Sequence, residues 1–489
     1  MLKKTISTLL AAALLLSCVP FALAADTAKA GAEAPLLPVV IIRGMDFNRI
    51  YTHYGETDQT PLFRGVTAGG ILKTLFAALK NAKTEGFNHA LAGAAIAYAG
   101  EILGDMACDE NGESVLPVGY AGYDCSVAES PELQLLLQTS ESKEEALVRV
   151  AAETLGPENV YFFTYDYRLD PYAQADRLKA FIDMAAGAHG TEQVDLINCS
   201  MGGVITDCYL YKYGAGRLRK CVFLSSTFCG TNVATEVLCG EVQTDEGMLY
   251  RYIKQLTGSG LLAGALKATG LLKLAAKWFN GFVESEGDYV YGDFLSRTFG
   301  TMLSFWANVQ PDRVDDALER IFPTQADRTK YAGLIEKIRR LQTVMAQREE
   351  MLRALPGQGV EVAVVAGYDS APIPLYPSAA EQTDSILDSR WMLGCAEVSK
   401  LGERLDAEGE YVSPDGCVDL TDALFPDCTW AIRGAGHVPA VYGSDCARFL
   451  MALLRYDGQP DRNSFEEFPQ FFAVDPKTKN ILSDRSPVC

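Results

Sequence analysis

Ser200 stands in a segment whose residue types suit a nucleophile. The mostly apolar residues 194–197 lead into the run Asn-Cys-Ser-Met-Gly-Gly at 198–203 and then into a helical pattern. A nucleophile elbow places its serine on a strained turn between a strand and a helix, usually as G-x-S-x-G. Asn198 replaces the first glycine, and Asn is one of the few other residues that tolerate unusual backbone angles. This context predicts Ser200 as a nucleophile; the alternative is an ordinary strand–helix turn.

A nucleophilic serine needs a base, and His437 is the best placed of the four histidines. It ends the glycine-containing run 433–437, directly after the apolar run 429–432. A flexible loop after a late strand can bring an imidazole to a serine at the same edge of a sheet. The other three histidines lie in a polar loop, a helical stretch and an exposed loop: His53, His89 and His189.

The acid that orients the histidine has more than one candidate. A carboxylate must accept the second imidazole N–H, which fixes the tautomer and the orientation of the ring. Asp415 is favoured, because it lies in a turn before a short apolar segment, 22 residues before His437. Asp369 is the alternative, since it follows the strand-like run 360–366, and Asp419 is a third possibility.

Two backbone amides are expected to stabilise the negative charge that develops on the substrate. One is the N–H of Met201, directly after the nucleophile, and the other is the N–H of Met45 after the first buried strand. Gly44 allows a sharp turn there. Asp46 and Arg49 are expected to pair with each other.

Short apolar runs alternate with helical patterns along the chain. Strand-like runs fall at 38–42, 160–164, 194–197, 221–224, 360–366 and 429–432, with helical patterns at 173–186 and 204–213. Such alternation predicts an α/β fold with a mostly parallel central sheet. Residues 66–155 and 240–355 interrupt it with helical segments, so they are interpreted as cap or lid insertions in a domain spanning 38–455. Residues 456–489 then form a C-terminal extension.

The motifs together resemble the lecithin:cholesterol acyltransferase-like lipases. The resemblance rests on residues 39–44, 165–169, 198–203 and 225–231, and on the Asp-Gly-x-Val and Gly-x-Gly-His segments that contain Asp415 and His437. It covers about residues 38–240 and 358–450; the lid regions are unmatched. It implies an α/β-hydrolase fold with helical lid insertions and activity on lipid esters. Arg43 and Asn198 depart from the family pattern.

The first residues predict export. Lys3 and Lys4 precede an apolar stretch and an Ala-Leu-Ala cleavage site, which indicates a signal peptide at 1–24, followed by a flexible lead-in at 25–37. Cys18 stands in a sequence that also resembles a bacterial lipobox, so a lipoprotein is an alternative. Export permits disulfides, and Cys108 and Cys125, which frame a polar loop, are the preferred pair.

Composition narrows the class of partner. The formal charge of −20 over 489 residues argues against nucleic-acid binding and against attraction to anionic membranes by average charge. No cysteine or histidine spacing is typical of a zinc site, and no cofactor motif is present, so neither metal nor cofactor is expected. The expected partner is an ester or lipid substrate, with transient lipid-surface contact through the lid; the oligomeric state stays open.

The expected activity is therefore a secreted serine esterase or lipase that forms an acyl-enzyme. Transfer of the acyl group to another alcohol, or peptide cleavage, would use the same triad. A non-catalytic binding protein that retains the scaffold is the alternative of another class.

Overall fold

The computed structural model describes residues 36–140 and 142–482. The signal peptide, Cys18 and most of the lead-in lie outside the described residues. Strands in this part of the chain are β1 (Val39–Ile42), β2 (Tyr51–Thr52), β3 (Thr60–Pro61), β4 (Val118–Gly119), β5 (Val160–Phe163), β6 (Val194–Cys199), β7 (Leu218–Leu224), β8 (Glu361–Tyr368), β9 (Glu397–Val398), β10 (Val418–Asp419), β11 (Thr429–Arg433) and β12 (Phe471–Ala473).

Seven of these strands form a parallel central sheet in the order β12-β11-β8-β7-β6-β1-β5. Strands β1, β5 and β6 are buried along their whole length, as apolar strands covered on both faces should be. The prediction of a mostly parallel sheet is confirmed, and each strand-like run of the sequence corresponds to one of its strands. Strand β12, in the C-terminal extension, was not predicted.

Helices of the described chain are α1 (Ala68–Glu85), α2 (Phe87–Leu103), α3 (Pro131–Thr139), α4 (Lys143–Leu155), α5 (Pro171–Ala188), α6 (Gly202–Tyr213), α7 (Asn232–Leu238), α8 (Glu246–Thr257), α9 (Gly260–Ala268), α10 (Leu271–Val290), α11 (Leu303–Trp306), α12 (Val314–Ile321), α13 (Gln325–Lys330), α14 (Ala332–Ala346), α15 (Arg348–Arg353), α16 (Ser389–Met392) and α17 (Asp445–Arg455). Local chemistry sets several boundaries. Asp170 caps α5 by accepting from the Tyr172 N–H at 3.0 Å, and Pro171 occupies the first turn.

The two insertions are only partly cap or lid, because each ends in a helix that packs into the main body of the fold. Helix α4, at the end of the first insertion, packs against β5 and α17. At the end of the second, Arg348 in α15 forms a buried ion pair with Asp207 in α6. The closing helices of both insertions therefore belong to the layers that bury the sheet, and α1–α2 and α8–α10 remain as candidate lid elements.

The disulfide differs from the preferred pair. Cys229, after β7, is bonded to Cys395, after α16, whereas Cys108 and Cys125 are both free thiols. The bond joins two segments that are 166 residues apart in sequence but follow neighbouring strands of the sheet. The prediction of Cys108 with Cys125 used only their proximity in sequence, whereas the observed disulfide joins residues that are distant in sequence and close in the fold.

Candidate active site

Ser200 occupies a strained turn at the carboxyl end of β6. Its φ is 51°, in the left-handed region that a non-glycine residue adopts only when its surroundings enforce it. The Ser200 N–H donates to the Leu224 carbonyl at 3.0 Å, and the Gly203 N–H donates to the Ser200 carbonyl at 2.9 Å. These bonds tie the turn to β7 and to α6. The half-buried hydroxyl has no hydrogen-bond partner among the described residues, which leaves it available for chemistry.

The two glycines after the turn are required by close packing. A Cβ at Gly202 would lie 2.9 Å from the Ile42 side chain, and one at Gly203 would lie 2.7 Å from the Ser226 Cβ. Either distance is too short for carbon atoms. Asn198 lies within β6, so the unusual backbone angle belongs to Ser200 and not to Asn198. The Asn198 Oδ1 accepts a hydrogen bond from the Ser226 Oγ at 2.8 Å, which anchors the neighbouring strand end instead.

His437 is paired with a carboxylate that the sequence analysis did not select. Its Nδ1 lies 2.7 Å from the Asp384 Oδ2, and the Asp384 side chain is fully buried. The other Asp384 oxygen accepts from the N–H groups of Ile386 at 3.0 Å and Leu387 at 2.9 Å. A carboxylate held in this way fixes the imidazole and leaves Nε2 free to accept a proton.

This contact differs from the predicted pairing of His437 with Asp415 or Asp369. Asp415 accepts from the Tyr368 hydroxyl at 3.0 Å and the Ser413 hydroxyl at 2.6 Å. Asp369 forms an ion pair with Arg433 at 2.7 Å. Both carboxylates therefore brace the loops after β8 and β11, and neither one is hydrogen-bonded to His437 in the described chain. Asp419 caps its own turn through Thr421.

The histidine loop is held on one side by the segment next to the serine turn and on the other by helix α4. The Val438 N–H donates to the Ser225 Oγ at 3.0 Å, and Ser225 directly follows the residue that accepts from the Ser200 N–H. On the other side, the Lys143 ammonium donates to the His437 carbonyl. His437 lies between Gly436 and Val438, which both have positive φ, so the chain turns tightly on each side of the imidazole.

The loop after β1 presents one of the two expected amides, that of Met45, and the other, that of Met201, directly follows Ser200. A Cβ at Gly44 would lie 3.0 Å from the Ser200 Cβ, so a larger residue here would crowd the nucleophile. Among the described residues, the N–H groups of Met45 and Met201 have no hydrogen-bond acceptor. Two unpaired amides beside a serine can stabilise a tetrahedral oxyanion.

Buried charges hold that loop in place. The Arg43 guanidinium lies 2.5 Å from Glu145 and 2.9 Å from Asp46, and the Tyr165 hydroxyl donates to the Arg43 carbonyl at 3.0 Å. Burial raises the pKa of the Glu145 carboxyl, and the Arg43 charge opposes that rise. The pairing of Asp46 with Arg49 is present at 3.9 Å, but Arg43 is the closer partner.

Other features of the described chain lie outside this arrangement. An exposed group of His53, Glu56 and Asp58 brings possible metal ligands within 4.8 Å of one another, and it contains none of the candidate catalytic residues. Of the helices in the described ranges, none combines the length and apolar character needed to cross a membrane.

Comparisons with known proteins find distant similarity to solved structures. No family model matches the chain, and no curated protein matches it. A solved meta-cleavage product hydrolase from Pseudomonas fluorescens, a mutant complexed with acetates, is 14% identical, with 63% of this chain and 84% of that chain covered and a TM-score of 0.26. An esterase from a Rhodococcus species is 11% identical, with 53% and 73% covered and a TM-score of 0.20. Neither similarity is close enough to carry an argument about activity.

The fold follows from the topology of the chain itself. A parallel sheet carries a serine on a strained strand-to-helix turn, then an aspartate, then a histidine, in that order along the chain and after strands β6, β8 and β11. This order and the strained serine turn are features of one architecture. The chain has an α/β-hydrolase fold.

Proposed function

We propose that this protein is an exported serine hydrolase that cleaves carboxylic esters through an acyl-enzyme, with Ser200, His437 and Asp384 as its triad. The observation that carries the proposal is the contact of 2.7 Å between Asp384 and His437. A buried carboxylate against an imidazole nitrogen is the pairing that a general base requires. The strained serine turn and the two unpaired amides support the same reaction.

The mechanism has two acyl-transfer steps. His437 Nε2 takes the Ser200 proton as the serine oxygen attacks the ester carbonyl, and the Met45 and Met201 amides stabilise the oxyanion. The imidazolium, stabilised by Asp384, protonates the leaving alcohol. Water then attacks the acyl-serine with His437 as base, which releases the acid and restores the serine. An alcohol in place of water would give acyl transfer by the same steps.

The proposed substrates are lipid esters. This part of the proposal rests on the resemblance to lecithin:cholesterol acyltransferase-like lipases and on the apolar helices of the candidate lid. Leu261 and Leu262 in α9 are 87% and 47% exposed, which is an unusual position for adjacent leucines in an isolated chain. Such side chains are suited to an acyl chain or a lipid surface.

A fluorophosphonate probe tests the proposal directly. It should label the pure protein once, at Ser200, and Ser200→Ala should abolish the label. His437→Ala should abolish it too, because the serine loses its base. His189→Ala is the matched control: His189 contacts Tyr161 and Glu158, far from the serine in the fold, and its loss should leave labelling intact. Undiminished labelling of Ser200→Ala would refute the assignment of the nucleophile.

A panel of esters then tests the substrate class. Wild-type protein should hydrolyse esters of long-chain acids in micelles faster than acetate or butyrate esters. Leu262→Gln should reduce turnover of the long-chain esters and spare the short ones, because Leu262 is half exposed and contributes little to the core. Equal loss on both classes, with a lower melting temperature, would show that this leucine is structural.

A further inference from the structure

Helices α9 and α10 expose apolar side chains that a soluble surface normally buries. In α10, Leu271, Leu274 and Trp278 are 51%, 63% and 45% exposed. Their spacing of three and four residues places them on one side of the helix. Leu272 and Ala276 lie on another side and are buried. The helix therefore has one apolar face packed against the protein and a second apolar face exposed to solvent.

The charge of this region is opposite to that of the rest of the protein. Residues 247–283, which span α9 and most of α8 and α10, contain five lysines and arginines and no aspartate or glutamate. Because the whole chain carries −20, the remaining residues carry −25. A segment of 37 residues with a charge of +5 is thus a local exception in an acidic chain.

The lysines beside the exposed apolar face are not neutralised by the protein. Lys267, Lys273 and Lys277 are exposed. Within the described ranges none of them forms a salt bridge, although the Lys267 ammonium lies 5.2 Å from the ring centroid of Tyr250. On α10, Lys273 and Lys277 are four residues apart and so form a stripe next to the stripe of Leu271, Leu274 and Trp278.

We propose that this α9–α10 face, formed by Leu261, Leu262, Leu271, Leu274 and Trp278 with Lys267, Lys273 and Lys277, docks on an anionic phospholipid bilayer. A helix with Leu and Trp on one side and Lys beside them lies in the interface plane, where apolar groups enter the acyl boundary and lysines meet the headgroups. Charge complementarity selects a negative surface, since a neutral bilayer would leave the lysines without partners.

A negative net charge does not prevent this face from binding an anionic bilayer. A net charge of −20 repels an anionic surface only over distances that salt does not screen, and the Debye length is about 8 Å at physiological ionic strength. At the bilayer surface, attraction by the lysines of this face therefore outweighs repulsion by the distant acidic residues. Each lysine near an anionic surface strengthens binding by about fivefold. Docking does not depend on the proposed ester chemistry, so the two proposals can fail separately.

The test uses the chain without its leader and with Ser200→Ala, so that no vesicle lipid can be hydrolysed. Binding is measured by co-sedimentation with vesicles of phosphatidylcholine, and with vesicles of equal parts phosphatidylcholine and phosphatidylglycerol. We expect binding to the mixed vesicles to be at least tenfold tighter, and high salt to remove the difference. Trp278 should shift its fluorescence to shorter wavelength on binding, because it is 45% exposed, whereas Trp306 and Trp430 are buried and Trp391 is half-buried and hydrogen-bonded to Asn232. A Trp278→Phe variant should lose that shift.

Matched charge reversals test whether the α9–α10 face is the part of the protein that binds the vesicles. Lys273→Glu with Lys277→Glu should weaken binding to the mixed vesicles by more than about 25-fold, since two attractive charges are lost. Lys330→Glu with Lys477→Glu makes the same change in net charge at exposed positions outside the face and should have little effect. Melting temperatures report whether each variant is folded.

Three results would overturn the proposal. They are equal binding to both vesicle types, equal weakening by the two double variants, and an unchanged Trp278 emission in vesicle-bound protein. If binding behaves as expected while the fluorophosphonate probe fails to label Ser200, docking stands and the proposed hydrolysis does not.

Discussion

Replacing Asp384 with asparagine should remove most of the proposed activity while leaving the fold intact. The Asp384 Oδ1 accepts from two backbone N–H groups, and an asparagine oxygen can keep both bonds. Its amide nitrogen would then face the His437 Nδ1 at the position of Oδ2, which lies 2.7 Å away. An amide N–H can only donate there, so Nδ1 must become the acceptor and the proton must move to Nε2. In that tautomer His437 cannot accept the Ser200 proton.

The carboxylate has two roles: it fixes the tautomer of His437, and it stabilises the imidazolium that forms during the reaction. Both roles contribute to the expected loss of turnover. The equivalent change in a known serine protease lowers turnover by about four orders of magnitude, mainly through the wrong tautomer. Four orders of magnitude correspond to about 5.4 kcal/mol of transition-state stabilisation. Asp384 is fully buried, so water cannot replace its charge beside the imidazolium. We therefore expect Asp384→Asn to lower the turnover number by about three to four orders of magnitude.

Turnover of a short soluble ester, measured with the melting temperature, tests this expectation. Asp415→Asn and Asp369→Asn are the matched controls, since they change other carboxylates to amides on the neighbouring loops. Asp415 loses part of its bonding to Tyr368, for which about 1 kcal/mol of stability is a reasonable scale. Turnover per folded molecule should fall less than about tenfold in both controls. A larger loss in Asp415→Asn than in Asp384→Asn would refute the assignment of the acid.

Three further predictions concern stability. Gly203→Ala should cost about 1–3 kcal/mol in thermal unfolding, because its Cβ would lie 2.7 Å from the Ser226 Cβ; an unchanged melting temperature would contradict this. Cys229→Ser with Cys395→Ser should cost about 2–4 kcal/mol, and added reductant should then have no further effect. Burial raises the pKa of Asp388 from 3.8 to about 7. The folded state therefore keeps a proton that the unfolded chain releases, and this group makes stability fall as pH rises between about 4 and 7. Asp388→Asn should flatten that slope in melts between pH 5 and pH 8, and an unchanged slope would argue against it.

The sheet was predictable because its strands carry their own signal. A strand buried on both faces is mostly apolar, and the run of Val and Ile at residues 39–42 is typical of such a strand. Residues 194–197 fit the same pattern except for Asp195, whose buried carboxylate is paired with Arg219. Strand β12 was missed because Phe471–Ala473 is short, lies at the edge of the sheet and has a half-exposed pattern. Edge strands bury less surface, so their composition is less constrained.

The serine and the histidine were predictable for a related reason. Their backbones need small residues nearby, and the glycines at 202, 203, 434 and 436 leave a pattern in the sequence. Asp384 has no such pattern. It is positioned by a turn in which its own side chain accepts from the next residues, and many aspartates in loops do the same. Asp415 and Asp369 met the same local criteria, and only the packing of the loop after β8 separates the three.

The first turn of α4 shows how a segment interpreted as part of a cap supports the proposed chemistry. Lys143 donates to the carbonyl of His437, and Glu145 holds Arg43 in the loop that carries the Met45 amide. The proposed base, after β11, and the Met45 amide, after β1, thus share one support, although three strands lie between β11 and β1 in the sheet. Glu145 is completely buried, so removal of Arg43 would leave its charge with only the more distant guanidinium of Arg49, 3.7 Å away. The Arg43 side chain therefore holds the loop from which the Met45 N–H is proposed to donate.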